Sequence, residues 1–392
     1  MNMKKTNESK AIWYRDKLEV FPVYEIPLNE LLYNKHNGRI KSSVLSYESG
    51  IGRSLDPRNP NDKNIIENYL FESAENRNEK TLDSLKNYGQ QEIGIVTNDL
   101  IVIDGNRRAL LLSKLNREGN RIDFFKAIVL PDTLENNPIE IIKLETNYQM
   151  GVDNKVEYKP IEKYLRCKEL IDEHSVAIEE VAKLMAEKPS RIVQWMSILS
   201  LMEEYLVYLD SPSVYTRLDK KEGHFVDLNN YLKQTNNNQE LKEVYFDFIR
   251  LGIPVQRARV LGNPKDNQSL YSNSELWNPF YAEHSSVKKS FTEKRFQEVK
   301  QENSELSNEQ IFGNIDNYFK EKLSNNLIKN LVQGEIAIKE LKVRNNIKIE
   351  LQKIQRYISK INVLEIFDND KEEIRVLLNS ISTESKFKEN QL

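Results

Sequence analysis

The segment Ile101–Leu115, IVIDGNRRALLLSKL, decides the fold of the N-terminal half of this 392-residue chain. β-Branched residues predict a strand that ends at Asp104 and Gly105, and the spaced leucines that follow predict an amphipathic helix. Arg107 and Arg108 lie in the first turn of that helix. Helix N-termini attract anions, and a cation there is unfavourable unless an anion compensates it. The pair therefore indicates a phosphate site; the simpler interpretation leaves both arginines solvated on a surface helix.

Motifs on both sides of this segment extend the pattern. Upstream, Asn34–Arg39 reads NKHNGR, and a predicted amphipathic helix ends later at Gly89. Two predicted strands, Ile93–Thr97 and Leu100–Ile103, then form a hairpin that leads into the central segment. Downstream, residues 146–150 read TNYQM. The apolar face of the upstream helix is predicted to carry Leu82, Leu85 and Tyr88.

In this order the motifs resemble the ParB/sulfiredoxin-like superfamily. Its ParB members carry N-P-x-Q-P-R, a helix, G-x-x-Q-P-I, a strand hairpin, G-E-R-R-x-x-A and E-N-x-Q-R. In that family these segments cradle a nucleotide, and the G-x-R-R turn holds its phosphates. The resemblance therefore implies a nucleoside triphosphate, CTP or ATP, bound with Mg²⁺. The implied nucleotide-binding residues are Arg39, Gly89, Gln91, Gly105, Asn106, Arg107, Arg108 and Asn147.

The chain also departs from the family pattern. Asn106 and Thr146 stand where the family has glutamate, and Met150 stands where it has arginine. The missing carboxylates are associated in the family with magnesium and triphosphate handling. Since an amide or a hydroxyl supplies neither negative charge nor a general base, we expect nucleotide binding without efficient hydrolysis. Candidate catalytic carboxylates are Glu92, Asp104 and Glu145, and the candidate Mg²⁺ ligands are Glu145 and Asn147.

The resemblance continues into a helix-turn-helix. Residues 173–199 match the spacing of the family's E-E-V-A-x-x-x-G-K-S-x-x-x-V-x-x-x-L-R-L-L. The first helix is predicted over Ile178–Met185, the turn over Ala186–Pro189, and the second helix from a Ser190 cap to about Leu199. The alternative is a helical hairpin used only for packing. Val193, Met196 and Leu199 are predicted to face the core, whereas Ser190, Arg191, Gln194 and Ser197 are predicted to contact DNA in the major groove.

Composition narrows the class of protein. Apolar residues make up 39% and charged residues 30%, which is typical of a polar, helix-rich soluble protein, and the net charge of −3 argues against nonspecific coating of nucleic acid. The single cysteine, Cys167, excludes an internal disulfide, and four scattered histidines predict no metal or catalytic set. No apolar run is long enough to span a bilayer, and the first ten residues lack the apolar core of a secretory signal. We therefore expect a cytoplasmic protein, and the ParB resemblance implies that it associates with the nucleoid.

We predict an α+β fold with an N-terminal α/β domain of the ParB/sulfiredoxin type, a helix-turn-helix domain and a long helical C-terminal region. The polar stretch Lys41–Asn64 is interpreted as an inserted loop, or alternatively as a lid beside the first motif. Ile347, Leu351, Ile354, Ile358 and Ile361 repeat at intervals of four and three, a coiled-coil seam that favours a homodimer over a hairpin folded on itself. The predicted units are an arm (1–22), a nucleotide-binding domain (23–135), a helix-turn-helix domain (136–210), a mainly helical middle region (211–300) and a C-terminal region (301–392).

These patterns favour a ParB-like DNA-binding protein of prokaryotic type, regulated by a nucleotide and acting as a clamp or regulator on DNA. The alternative from the enzyme class is a nuclease or small-molecule kinase on the same fold, acting in defence against foreign DNA. A third interpretation is an adaptor whose pocket no longer functions. Segregation, transcription control and defence stay open at this stage.

Overall fold

The structure is a computed structural model that describes residues 3–73, 75–120, 122–148, 159–262 and 269–392, with only the backbone of Asn76. Its fold is α+β: a six-stranded mixed sheet in the N-terminal part and helices after it in the described part of the chain. The strands are β1 (Lys4–Tyr14), β2 (Lys17–Pro27), β3 (Leu32–Tyr33), β4 (Gly94–Val96), β5 (Ile101–Asp104) and β6 (Phe124–Val129). Their order is β1-β2-β6-β4-β5-β3, and all neighbours are antiparallel except β4 with β6 and β3 with β5.

The first two strands form a long hairpin that belongs to the sheet, so the prediction of a separate arm over residues 1–22 is wrong for the described part of that segment. Ile12 and Tyr14 are only 1% and 2% exposed, and they alternate with exposed neighbours. This period of two is what a strand with one buried face requires. Arg15 and Asp16 have φ values of 53° and 59°, which suit the tight turn that joins the strands.

Four helices accompany the sheet: α1 (Lys41–Ile51), α2 (Pro60–Glu72), α3 (Glu75–Tyr88) and α4 (Asn106–Arg117). The interpretation of residues 41–64 as an inserted loop is therefore wrong. The side chain of Asn59 caps α2 by accepting hydrogen bonds from the backbone N–H groups of Asn61 and Asp62. Pro60 occupies the first helical position. The predicted helix before Gly89 is confirmed as α3, but Tyr88 is 73% exposed and does not belong to its buried face.

The second part of the chain is helical and encloses one large apolar core. It contains α5 (Pro138–Thr146), α6 (Pro160–Lys168), a π-helical turn (Glu169–Glu173), α7 (Ile178–Leu184) and α8 (Pro189–Tyr208). Then follow α9 (Glu222–Gln234), α10 (Gln239–Leu251), α11 (Val255–Ala258), α12 (Ser274–Lys289) and α13 (Phe296–Glu302). Gln149 and Met150, the last two positions of the TNYQM motif, lie outside the described residues.

The helix-turn-helix prediction is correct in its helices and wrong in part of its detail. The second helix, α8, runs to Tyr208, and its N-cap is Lys188 with Pro189 at the first helical position, so Ser190 is not the cap. Val193 is 52% exposed, whereas Trp195 is 4% exposed. In the predicted part of this helix the buried residues are Ile192, Trp195, Ile198 and Leu199, so Leu199 faces the core as predicted and the rest of the buried side begins one residue earlier. The phase of the repeat was misassigned because it was taken from Val193, and apolar residues also occur on exposed helix faces.

The C-terminal region begins with α14 (Asn308–Ser359), a single 52-residue helix, and ends with α15 (Lys371–Glu389). The first half of α14 packs on the helical core, and Gly334 permits this because a Cβ there would lie 2.7 Å from Leu270 Cδ1. Beyond Leu341 the helix leaves the core. The predicted seam residues on α14 are all exposed, and Ile361 lies past the end of the helix. None of the described helices is both long and apolar enough to cross a membrane.

Candidate functional site

The turn between β5 and α4 has the backbone conformation that the glycine in the DGNRR stretch predicts. Gly105 has a φ of +95° and is the residue immediately before α4. A Cβ at this position would lie 2.9 Å from Phe125 Cζ and 3.2 Å from Arg108 Nη2. Glycine is therefore required both by the backbone angle and by the close approach of two side chains. As a result, only one residue separates β5 from α4, and the N-terminus of the helix lies at the end of that strand.

A cavity of about 430 Å³ lies at this turn, and most of the predicted site residues meet in it. Its walls come from the NKHNGR loop, α3, the Gly89 turn and the start of α4. The predicted residues that line it are Arg39, Gly89, Gln91, Glu92, Asp104, Gly105, Asn106, Arg107 and Arg108. Segments that are separated by more than sixty positions in the sequence therefore form one concave, arginine-rich surface.

The charges in this cavity are partly compensated within the protein. Arg108 Nη2 lies 3.1 Å from Asp104 Oδ2, and both side chains are about a quarter exposed. Lys10 of β1 contacts the ring of Tyr148, another residue of the cavity wall. Burial lowers the pKa of Lys10, opposed by the negative charge of Asp104 and reinforced by Arg108. An entering anion would therefore meet Arg39, Arg107 and Arg108 together with two wall carboxylates, Glu92 and Asp104, and would compete with Asp104 for Arg108.

Asn106, the first residue of α4, stabilises the turn through its side-chain amide. Its Nδ2 donates hydrogen bonds to the carbonyl oxygens of Val102 and Ile103, at 3.0 and 3.4 Å. The residue is 6% exposed, and its Oδ1 has no hydrogen-bond partner within the described part of the chain. The amide thus ties the first residue of α4 to β5 and leaves one acceptor at the cavity wall.

Glu145 occupies a different environment from the one predicted for a catalytic group or a metal ligand. Its carboxylate lies 2.9 Å from Arg166 Nη2 and accepts hydrogen bonds from Asn34 and Asn37 at 3.3 and 3.1 Å. Glu145 and Arg166 are each 1% exposed. Burial raises the pKa of Glu145, opposed by the charge of Arg166. Glu145 therefore reaches the cavity only indirectly, through Asn37, which lines it.

The buried ion pair extends into a network. Arg166 also pairs with Glu169 at 2.7 Å, and Glu169 pairs with Lys41 at 2.8 Å. Asn147 follows α5, and among the described residues neither it nor Glu145 lines the cavity. Thr146 donates its hydroxyl to Ile142 O and is also turned away. No group of three or more His, Cys, Asp or Glu side chains suited to a metal ion occurs in the described ranges.

Some cavity residues were not predicted from the sequence. Lys80, Thr81 and Ser84 lie on the polar side of α3, and Tyr148 follows α5. The apolar periodicity of α3 indicates which face is buried and carries no information about what the polar face meets. Asn37 had a usable signal, because it stands within the NKHNGR motif beside Arg39.

The exposed start of α8 forms a second polar surface. Ser190 and Arg191 are exposed, and Arg191 Nη1 donates to Gln194 Oε1 at 2.9 Å. Lys188 and, from α9, Lys233 line the same shallow depression. Ser197 does not belong to this surface, because its hydroxyl is 2.7 Å from Asn229 Oδ1 of α9.

Comparisons with known proteins give weak structural likenesses alone. No family model and no curated protein matches the chain. A C-terminally truncated chromosome-partitioning protein ParB from Caulobacter crescentus, complexed to the centromeric parS site, is 14% identical, with 60% of this chain and 97% of that chain covered and a TM-score of 0.31. The same protein complexed with CTP-γ-S is 15% identical, with 57% of this chain and 98% of that chain covered and a TM-score of 0.21. A Pnob8-like ParB-N domain is 10% identical, with 72% of this chain and 98% of that chain covered and a TM-score of 0.37. Values this low assign neither a ligand nor a partner to this chain.

Proposed function

We propose that this chain is a ParB-like DNA-binding protein that is regulated by a nucleoside triphosphate, CTP or ATP, bound with Mg²⁺. The observation that carries the proposal is the convergence of Arg39, Arg107 and Arg108 on one cavity at the N-terminus of α4. Unpaired N–H groups of a first helical turn and guanidinium groups both favour phosphate oxygens. A volume of about 430 Å³ lies within the range of small-molecule sites.

The test is nucleotide binding by the Arg107→Ala/Arg108→Ala double variant, measured by calorimetry against all four triphosphates. A charged hydrogen bond contributes about 1.5–3 kcal/mol, so losing two weakens binding by roughly a hundredfold or more. Lys114→Ala is the matched control, since Lys114 is an exposed cation on the same helix outside the cavity. A dissociation constant that is equal in the double variant and the control would contradict the proposed pocket.

The proposed DNA contacts come from the start of α8. Arg191 and Gln194 can read base edges, since arginine matches guanine and glutamine matches adenine. Lys188 and Lys233 lie beside them and suit phosphate oxygens, as does the exposed Ser190 at the helix start. The measurement that connects the two sites is the affinity for a genomic fragment library with and without the triphosphate. Equal affinities would show that no regulation by the nucleotide occurs.

The same cavity supports slow hydrolysis better than efficient turnover. Of the three candidate carboxylates, Glu92 and Asp104 line the cavity, and Asp104 is paired with Arg108. Glu145 is enclosed by Arg166 and two asparagines. A carboxylate whose oxygens already accept hydrogen bonds from a guanidinium or from amide groups is poorly placed to take a proton from an attacking water. The competing proposal, a nuclease or kinase on this fold, rests on the accessibility of Asp104 and Glu92.

A homodimer is part of the proposal. Ile347, Leu351, Ile354 and Ile358 form an exposed apolar row on α14, at intervals of four and three residues. Such a row is typical of a coiled-coil seam, and a second copy of the chain would bury it. Sedimentation equilibrium of the full chain and of an Ile354→Lys variant tests the association. We place this DNA-binding activity in the cytoplasm, on the nucleoid.

A further inference from the structure

The NKHNGR loop consists of two consecutive turns, and each turn begins with an asparagine. Asn37 N donates to Asn34 O at 3.1 Å in the first turn, and Ile40 N donates to Asn37 O at 3.0 Å in the second. Each asparagine Oδ1 also accepts from the backbone N–H two residues later, that of His36 or Arg39, at 2.9 and 3.1 Å. The side-chain oxygens are therefore used within the turns, and the amide nitrogens donate outside them.

Both amide nitrogens donate to one carboxylate, that of Glu145 near the end of α5. Asn34 Nδ2 lies 3.3 Å from Oε2, and Asn37 Nδ2 lies 3.1 Å from Oε1. The backbone N–H of Gly38 donates to the same carboxylate. Asn34 and Glu145 are each 1% exposed, and Asn37 is 2% exposed. Donors from both turns thus converge on a buried acid, which fixes the two turns relative to each other.

The carboxylate is itself held by Arg166 of α6. Arg166 Nη2 lies 2.9 Å from Glu145 Oε2 and also donates to His36 O of the first turn at 3.2 Å. The guanidinium therefore contacts the carboxylate and the loop at once. Because both charged side chains are 1% exposed, water does not screen these contacts. The position of the loop is set by this pair of side chains from α5 and α6.

Arg39 is the cation that the loop carries into the nucleotide cavity. It follows Gly38 directly, and its own backbone N–H is held by Asn37. Its side chain lines the cavity together with the two arginines of α4, whereas Glu145 does not line it. The carboxylate therefore fixes the backbone from which Arg39 projects without reaching the cavity itself.

We propose that Glu145 is a positioning residue of the nucleotide site: it holds the loop so that Arg39 meets the phosphates of the nucleotide. This role rests on the proposed function, because it serves the same cavity. Guanidinium and phosphate pair through directional hydrogen bonds, so a small shift of the backbone that carries Arg39 weakens the contact. The donors on the Glu145 carboxylate occupy the lone pairs that a general base or a metal ligand would use.

The experiment is a double-mutant cycle on the affinity of the full chain for CTP and ATP with Mg²⁺, measured by calorimetry. Glu145→Gln is expected to weaken binding of the tighter nucleotide by about fivefold, and Arg39→Met by at least roughly tenfold. In the Arg39→Met background, Glu145→Gln should cause less than about a twofold further loss, because the carboxylate acts through that guanidinium. In an Arg107→Met background it should cause the same loss as in the parent, since Arg107 lies on α4 and not on the loop.

Asp62→Asn is the matched control. Asp62 is a 1% exposed carboxylate that holds a different loop, through Arg53 at 2.6 Å and the backbone N–H of Asp56 at 2.9 Å. None of these three residues lines the cavity, so affinity should stay within about twofold of the parent value. An equal loss in the control, no loss in Glu145→Gln, or a loss that is undiminished in the Arg39→Met background would each overturn the proposal, because a general loss of stability acts in every background.

Asn34→Ala gives a second route to the same test if Glu145→Gln does not fold. It removes one donor to the carboxylate and leaves the buried ion pair in place, and Asn34 does not line the cavity. Its loss of affinity should likewise disappear in the Arg39→Met background. A loss that persists there would contradict the positioning role.

Amide hydrogen exchange of the nucleotide-free chain separates this role from the proposed function. Peptides that cover residues 34–40 should exchange at least roughly tenfold faster in Glu145→Gln than in the parent or in Asp62→Asn, because the loop loses its buried anchor. Unchanged exchange would overturn the proposal even if affinity falls. If the parent bound neither nucleotide, the proposed function would fail, and the exchange rates would still decide whether Glu145 holds the loop.

Discussion

Replacing Arg166 with methionine removes the cation from the buried network that joins the NKHNGR loop, α5 and α6. Arg166 is 1% exposed and lies 2.9 Å from Glu145 and 2.7 Å from Glu169. It also donates a hydrogen bond to His36 O at 3.2 Å. Methionine retains much of the aliphatic volume, so the variant tests the charge more than the packing. After the change, Lys41 still pairs with Glu169, but the described ion pair of Glu145 is lost.

The expected loss follows from that imbalance. Removing one partner of a buried ion pair costs about 3–5 kcal/mol, because the remaining charge keeps its desolvation penalty. Burial already raises the pKa of Glu145, and the charge and hydrogen bond of Arg166 are the largest effects that oppose this rise. Without Arg166 the folded-state pKa rises further above its unfolded value, so stability is retained at low pH and lost as pH rises through the folded-state pKa. The destabilisation by Arg166→Met should therefore be larger at pH 8 than at pH 5.

Urea denaturation at both pH values measures the free energy of unfolding. Arg375→Met is the matched control, since Arg375 pairs with Glu372 at 2.7 Å on α15 with both side chains more than two-thirds exposed. An exposed pair of this kind contributes about 0.2–1 kcal/mol. A loss below about 1 kcal/mol for Arg166→Met, or a loss that does not depend on pH, would refute the assignment of Arg166 as the charge that stabilises this junction.

Three further changes test the site. Gly105→Ala should lower the free energy of unfolding by about 1–3 kcal/mol and reduce nucleotide affinity, because the φ of this residue is +95° and the new Cβ would contact Phe125. An unaltered melting temperature and affinity would contradict this prediction. Arg191→Ala should weaken sequence-selective DNA binding by about 1–3 kcal/mol in gel shifts, with stability within about 0.5 kcal/mol of the parent; unchanged selectivity would reduce α8 to scaffolding. Asp104→Asn should free Arg108 from its ion pair, so nucleotide binding should become tighter and any residual hydrolysis should be lost. Robust multiple-turnover hydrolysis in this variant would exclude Asp104 as the general base.

The local signals in the sequence were reliable where the cause of a structure is itself local. The glycine at position 105, the strand before it and the leucines after it all act within a few residues, and the strand–turn–helix is confirmed. The helices of the helix-turn-helix are confirmed for the same reason. The errors arose where a signal was weak or approximate. The polar segment 41–64 contains α1 and the start of α2, although its composition resembles a loop: α1 ends at Gly52, and Asn59 and Pro60 define the start of α2.

The site residues divide along the same line. Motif spacing brought Arg39, Gly89 and the arginines of α4 into one predicted site, and the structure brings them to one cavity. The structure places Glu145 outside this cavity, where its carboxylate pairs with Arg166. Nothing in the sequence near Glu145 indicates that a guanidinium twenty-one positions later will enclose it. Ser197 shows the same limit, since Asn229 of another helix holds its hydroxyl.

The sequence by itself determined the strand–turn–helix around the glycine turn with its two arginines, the two helices of the helix-turn-helix, and the apolar row at the C-terminal end of α14. Each depends on backbone preference or on periodicity along a single element. Only the tertiary structure decided which charges are buried together, which face of α8 is exposed, and that Asn34, Asn37 and Arg166 meet at the carboxylate of Glu145. These outcomes depend on contacts between residues far apart in the chain. Burial, ion pairing and cavity shape come from several elements at once, and periodicity within one element does not specify them.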